Sequence, residues 1–422
     1  MEMLRKIWGI KQLRANILFV LGMLVIFRFV AHIPIPGVDR AALSSFLGSN
    51  QVLGLLNVFS GGTVENFSLV MLGIAPYITS SIIFQLLAMV VPRLEEMSKE
   101  GESGQQKINM YTRITTVPLA LLQAYGFITL LTRSHGGIIS DTSAMNIAVI
   151  MLTVTAGTIF LMWIGELITE RKIGNGISLL IFASIIASLP TAVRDAVINY
   201  NPSQLYTYLL FLGVAVATIV GVIVISEGQR NIPINYAKQA RPGRSGGLVQ
   251  SHLPLRVNMA GVIPIIFAIS IILFPPIVAQ FFVNGSGPLA SISLWVIDVF
   301  NNQLIYGVLY FVLVFGFTYF YTAVIFHPDK MAENLQRQGG FIPGIRPGKE
   351  TAAYLEKTMS RLVFVGALFL SAIAVLPLAM TVFTGSQSLV VGGTSLLIVV
   401  SVAIETAKQI EAQVTVHEYD MV

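Results

Sequence analysis

Apolar residues in this chain gather into blocks separated by short polar gaps, and a helix of about 20 such residues crosses the hydrocarbon core of a bilayer. The blocks fall near 17–33, 74–91, 114–131, 147–168 and 177–189, and again near 205–225, 257–279, 304–326, 362–378 and 396–406. This pattern predicts an all-α integral membrane protein with ten transmembrane helices. An even number of crossings brings both termini to one side. Between the first two blocks lies QVLGLLNVFSGG (51–62), apolar but too short to cross, which predicts either a re-entrant element or a helix lying on the surface.

Charge placement says which side the termini occupy, because Lys and Arg in short loops accumulate on the cytoplasmic face. Of the 26 Lys and Arg residues, all but Arg28, Arg40, Arg133 and Arg194 fall in the N-terminus, the 2/3, 4/5, 6/7 and 8/9 loops and the tail. Both termini are therefore expected in the cytoplasm. Arg28, toward the outer end of the first span, is expected to snorkel. The N-terminal MEMLRKIWGIKQLR has the charge pattern of a signal peptide. The apolar run after it ends in HIPIPG without a small-residue cleavage site, so it reads as a retained first span.

Composition agrees, with 55% hydrophobic and 11% charged residues against roughly 25% charged in a soluble domain. The net charge of +5 belongs to the loops, not to the basic stripe that a nucleic-acid partner requires. There is no cysteine, which excludes disulfides and Cys-ligated metals.

Two patterns recur at corresponding places in the two halves. G-x-x-P-x-I occurs as GIAPYI (73–78) at span two and as GVIPII (261–266) in span seven. G-x-S-L-L-I occurs as GISLLI (176–181) at span five and as GTSLLI (393–398) at span ten. Five spans per half is an odd number, so the halves run in opposite directions, and the axis between inverted halves is where function is expected. Ile74 and Ile78 share a helix face, as do Ile177 and Ile181, and Ile266 and Ile398 come from the repeats. These six predict an apolar ring on that axis.

Reactive constellations are missing. The sequence has no H-E-x-x-H and no G-x-S-x-G. His32, His135, His252, His327 and His417 have no metal-ligand spacing, so no metal or other cofactor is expected. PGIRPGK (343–349) has proline where a P-loop needs its first glycine, and Glu350 where it needs Ser or Thr. A secondary transporter of small solutes is the competing reading, because many share inverted-repeat architecture. Coupling ions usually requires charge in mid-membrane, whereas Glu166 and Glu405 sit near cytoplasmic charges. An uncharged constriction suits a gate that excludes water.

GESG (101–104), GIAPYI, ITER (168–171) followed by IGNGIS, NYAK (235–238), HLPL-x-VNMAGVIP (252–264), PGIRPG (343–348) and GGTSLLIVV (392–400) run in order along essentially the whole chain. Together they resemble the SecY family of protein translocation channels. The resemblance implies a clamshell of two inverted five-helix halves, 1–200 and 201–422, around an hourglass pore. It implies a waist formed by the six isoleucines, and a short plug helix near 53–66 that includes Leu53, Leu56, Val58, Phe59 and Asn66. Spans two, three, seven and eight would form a lateral gate, with Gln85 and Asn258 as its polar residues. The cytoplasmic loops 227–256 and 327–361 would dock the SecA ATPase or the ribosome through Arg230, Lys238, Arg241, Arg244 and Arg346. SecE and SecG would be partner subunits. Signal sequences, nascent chains and membrane lipid would be the other partners, with no specific small-molecule substrate. The implied location is the cell membrane, and the implied role is a channel, not an enzyme.

Overall fold

The computed structural model describes residues 7–49, 57, 60–133, 138–139, 141–198, 202, 205–236, 249–283, 287–384 and 393–420. Its first half contains α1 (Lys11–Ala31), α2 (Arg40–Ser49), α3 (Ala75–Val90), α4 (Pro92–Lys99), α5 (Glu102–Arg133), α6 (Ala144–Glu170) and α7 (Gly176–Ile198). The second contains α8 (Leu205–Glu227), β1 (Gln229–Tyr236), β2 (Val249–Arg256), α9 (Ile263–Phe282), α10 (Pro288–Asn301), α11 (Gln303–Ile325), α12 (Pro328–Arg337), β3 (Gly340–Phe341), α13 (Lys349–Thr384) and α14 (Gly393–Asp420).

Each expected span coincides with a helix: α1, α3, α5, α6 and α7, then α8, α9, α11, α13 and α14. Six helical segments among the described residues are long and apolar enough to cross a membrane by themselves, and α3 with α4, bent by 101°, makes a seventh. The other three have shorter apolar runs. Pro190 interrupts α7, Pro275 and Pro276 interrupt α9, and α14 gives way to Glu405 and Lys408. What these helices leave uncovered fits lipid rather than water. Along α8, Leu209, Leu212, Val216, Val220 and Val224 are all more than half exposed, spaced as one apolar helix stripe.

Helices pack within each half and meet across two seams. α5 lies against α3 and α6, α7 against α6 and α1; in the second half α11 lies against α9 and α13, and α14 against α8 and α13. Between halves, α9 packs on α3 and α5 at one seam, while α14 packs on α7 at the other.

The sequence repeat is a repeat of backbone geometry. Gly73 and Gly261 both take left-handed φ, 57° and 62°, where a Cβ would be strained. The next residues are nearly superimposable helix caps, Ile74 at φ −100° and ψ 3°, Val262 at φ −94° and ψ −6°. Pro76 and Pro264 then sit in the first helical turn, where a missing N–H breaks no helix hydrogen bond.

The second motif explains the start of α7. Asn175 Oδ1 accepts from the backbone N–H groups of Ile177 (3.0 Å) and Ser178 (3.2 Å), a cap contributing about 1 kcal/mol. Thr169 donates its hydroxyl to the Gly165 carbonyl at 2.8 Å and accepts from the Gly176 N–H at 2.9 Å. A Cβ on Gly176 would lie 1.8 Å from the Gly165 oxygen, so only glycine lets α7 begin this close to α6.

Two features lie outside the ten expected spans. β1 and β2 form a hairpin in register from Gln229↔Arg256 to Tyr236↔Val249, and β3 joins β1 at Asn235↔Phe341. The 6/7 and 8/9 loops are thereby built into one three-stranded sheet, order β2-β1-β3. Ile232, Leu255, Ile342, Leu355 and Met359 form a buried cluster that seats this sheet on α13. The second feature is α10, a helix between spans seven and eight.

Candidate functional site: an apolar cavity between the halves

Where the halves face each other, the structure forms a partly open cavity of about 90 Å³. Its wall includes Ile74 and Ile78 of the α3 entry, Ile181 of α7 and Ile266 of α9, with Leu161 and Phe27 from α6 and α1. Four isoleucines chosen from the repeats thus converge on one space. Ile74, Ile78, Ile181 and Ile398 belong to one hydrophobic cluster with Ile177 and Ile266 packed against it, but Ile177 and Ile398 are absent from the cavity wall. Ile177 lies against Gly165, its Cδ1 2.8 Å from where a Cβ would stand, and Ile398 is fully buried. Ile269, one turn beyond Ile266, also lines the cavity. The hydroxyl-bearing residues on the wall are Ser60, Ser184 and Ser270; Ser184 and Ser270 donate to carbonyls of their own helices at 2.9 Å. Among the described residues, the wall of this space carries no charged group.

The segment 60–74 leads into this cavity from the stretch expected to be a plug. Leu53, Leu56, Val58 and Phe59 lie outside the described residues. Asn66 is described, and its N–H donates to the Gly62 carbonyl at 3.1 Å. Val64, Phe67, Ser68, Val70 and Met71 are completely or almost completely buried, so this stretch is inside the bundle rather than on its surface. The Leu69 N–H donates to the Ile33 carbonyl at 3.1 Å and the Ile35 N–H to the Phe67 carbonyl at 2.9 Å, which pins the segment to the end of α1. Asn57 and Glu65 bracket its start through a side-chain pair at 3.2 Å and a backbone contact at 3.0 Å. Arg28 reaches this segment, its Nη1 donating to the Gly61 carbonyl at 3.1 Å.

A family model for SecY matches residues 68–407. The chain is 44% identical to the protein translocase subunit SecY of Halalkalibacterium halodurans, over 98% of this chain and 97% of that protein. It is 42% identical to the Vibrio cholerae subunit of the same name, over 98% and 94%. The chain belongs to the SecY family. Solved structures repeat the fold: a protein-conducting channel at 16% identity has a TM-score of 0.63, covering 93% of this chain and 91% of that one. Sec61 in a canine ribosome–channel complex has a TM-score of 0.60 at 15% identity, over the same shares. The SecY-family fold is the ten-helix clamshell with two inverted halves around an hourglass pore. Channel membership displaces the solute-transporter alternative and places the chain outside enzyme families.

Gln85 on α3 and Asn258, just before α9, occupy similar states. Gln85 Nε2 donates to Ser81 Oγ at 3.0 Å, and Asn258 Nδ2 donates to the Gly261 carbonyl at 3.2 Å. In both, the side-chain carbonyl oxygen is buried without a hydrogen-bond partner. Because α9 rests on α3 and α5, the seam between these helices is closed.

On the sheet, Arg230 is exposed on β1. Arg346 is exposed in the turn that follows β3, its carbonyl accepting from the Thr351 hydroxyl at 2.8 Å. The β1–β3 pairing therefore puts both arginines on one platform. Lys238, Arg241 and Arg244 lie outside the described residues. Sequence reasoning also missed the ion pairs inside the halves. Arg113 meets Glu166 at 2.6 Å between α5 and α6, and Lys408 meets Glu227 at 2.8 Å between α14 and α8. Positive-inside counting treats such residues only as orientation signals, so it does not reveal them.

Proposed function

We propose that this chain is the pore of a translocase that passes unfolded preproteins across the cytoplasmic membrane and releases apolar helices sideways into lipid. The observation carrying this reading is the convergence of Ile74, Ile78, Ile181 and Ile266 on an uncharged cavity bounded by a closed seam. An unfolded polymer exposes backbone groups that cost several kcal/mol each if stranded in hydrocarbon, so it needs a wet route. A helix rich in Leu, Ile, Phe or Val gains about 0.3–0.6 kcal/mol per such residue in mid-bilayer and leaves through the seam. Aliphatic side chains close around either substrate without selecting a sequence, because they make no directional bonds.

In this reading Ile177 and Ile398 pack behind the four isoleucines of the waist, residues 53–66 form the plug that blocks it, and the halves divide at 1–200 and 201–422. Spans two and seven, flanked by three and eight, are the lateral gate. Both termini are cytoplasmic, which the distribution of Lys and Arg supports. The β2-β1-β3 platform with Arg230 and Arg346 receives SecA or the ribosome, and Lys238, Arg241 and Arg244 extend it. SecE and SecG cover part of the apolar helix surface. Photo-cross-linking a stalled secretory precursor to α3 and α9 tests the whole: adducts to both helices are expected, and adducts confined to the lipid-facing side of α8 would defeat it.

A further inference from the structure

α10 has 14 residues, PLASISLWVIDVFN, which at 1.5 Å per residue is about 21 Å and too short to span a core of roughly 30 Å. It links two spanning helices and packs on both, α9 before it and α11 after it. The helix has three distinct flanks. Ser293 is buried and Phe300 packs against the main hydrophobic cluster, so this flank faces protein. Ser291 and Asp298 are exposed on a second flank, which they share with Leu294, 50% exposed. The third is an apolar stripe at helical spacing, Leu289, Ile292 and Trp295, with exposures of 64%, 57% and 66%.

A water-facing stripe of that kind would waste apolar surface, whereas a helix at the edge of a bilayer uses all three flanks. Tryptophan is enriched at that depth because its ring has an apolar body and a polar N–H. The neighbouring span ends point the same way. Phe282 closing α9 and Leu304 opening α11 are exposed apolar residues, so both span ends that flank the helix present apolar surface as well. We infer that α10 is an interfacial helix that beds Leu289, Ile292 and Trp295 in the headgroup–acyl boundary of the leaflet at the ends of α9 and α11. The occupant of the stripe is lipid.

The chain contains no cysteine, so single-cysteine spin labels report one position each. Ile292→Cys and Ser291→Cys chains, each reconstituted as the full complex in phosphatidylglycerol–phosphatidylethanolamine vesicles, are compared for collision with oxygen and with a water-soluble nickel chelate. The label at 292 is expected to favour oxygen and the label at 291 to favour nickel, with the two accessibility ratios differing about tenfold, as a bury of 5–10 Å on one flank implies. Equal nickel access at both sites overturns the inference. Shielding of 292 from both reagents also overturns it, because a protein then covers the stripe. A second measurement leaves α10 unaltered. With Trp8→Phe and Trp163→Phe, Trp295 is the remaining tryptophan. Its emission should be quenched by lipids brominated high on the acyl chain and not by aqueous iodide; quenching by iodide alone refutes lipid contact.

Discussion

Arg28 on α1 holds the carbonyl oxygen of Gly61 at 3.1 Å, across 33 positions of sequence. Gly61 itself abuts α7, since a Cβ there would come within 2.8 Å of Ser184 Cα. The stretch entering the cavity is thus clamped between the first and fifth spans. A hydrogen bond from a charged group contributes about 1.5–3 kcal/mol. Arg28→Ala is expected to loosen this clamp and raise resting ion conductance in planar bilayers. Conductance equal to the parent would show that the bond does not hold the closed state.

Ile74, Ile78, Ile181 and Ile266 share the cavity wall. Their joint replacement by serine should let water enter the constriction, and a loss of only about 1.4 kcal/mol in the closed state raises leak tenfold. Ile398→Ser should act differently. That side chain is fully buried away from the wall, so its main effect should be lost thermal stability in detergent, about 2–5 kcal/mol as for other large core truncations. Reversal of the two phenotypes would relocate the waist.

Gly176→Ala drives a methyl group into the Gly165 carbonyl. Overpacking of this kind costs about 1–3 kcal/mol. The variant should show a lower unfolding midpoint and faster proteolysis at the α6–α7 junction. An unchanged midpoint would mean that the two helices separate without penalty.

Gln85→Leu removes a buried carbonyl oxygen that has no partner, a defect worth roughly 1–3 kcal/mol. The closed seam should become more stable, so signal sequences of marginal hydrophobicity should be exported more slowly while strongly apolar ones are spared. A precursor series with graded signal hydrophobicity measures this. Uniform slowing of the series would argue against a gate role.

Arg346 is exposed, and its backbone is tied down by the Thr351 hydroxyl. Arg346→Glu should therefore leave folding and insertion intact while reducing SecA-driven export into inverted vesicles at least about tenfold, the effect of losing 1.4 kcal/mol at a docking contact. Normal export kinetics would remove Arg346 from the docking surface.

The spans were legible because the solvent around them is uniform: a helix in lipid must be apolar over its whole length, as α8 is from Leu205 to Ile225. The glycine turns at Gly73 and Gly261 were legible as a repeat, since both halves need the same left-handed entry. Periodicity could not say which isoleucines line the cavity. Ile177 and Ile181 share a face, yet the first turn of α7 is pressed onto α6, and only Ile181 reaches the cavity wall. α10 was missed because 14 residues with a mixed face match no spanning template. The partner of Arg28 was missed because a carbonyl 33 positions away leaves no mark in local charge. The sheet was missed because its strands lie in basic loops and one partner, Gly340–Phe341, is only two residues long.

That short third strand has a mechanical meaning. By hydrogen-bonding Phe341 to the hairpin before α9, it makes two connections that are distant in sequence into one lever resting on the base of α13. In the proposed translocase, a motor or a ribosome gripping either arm would turn both together, so a push received at the rim would reach α9 already coordinated with α13.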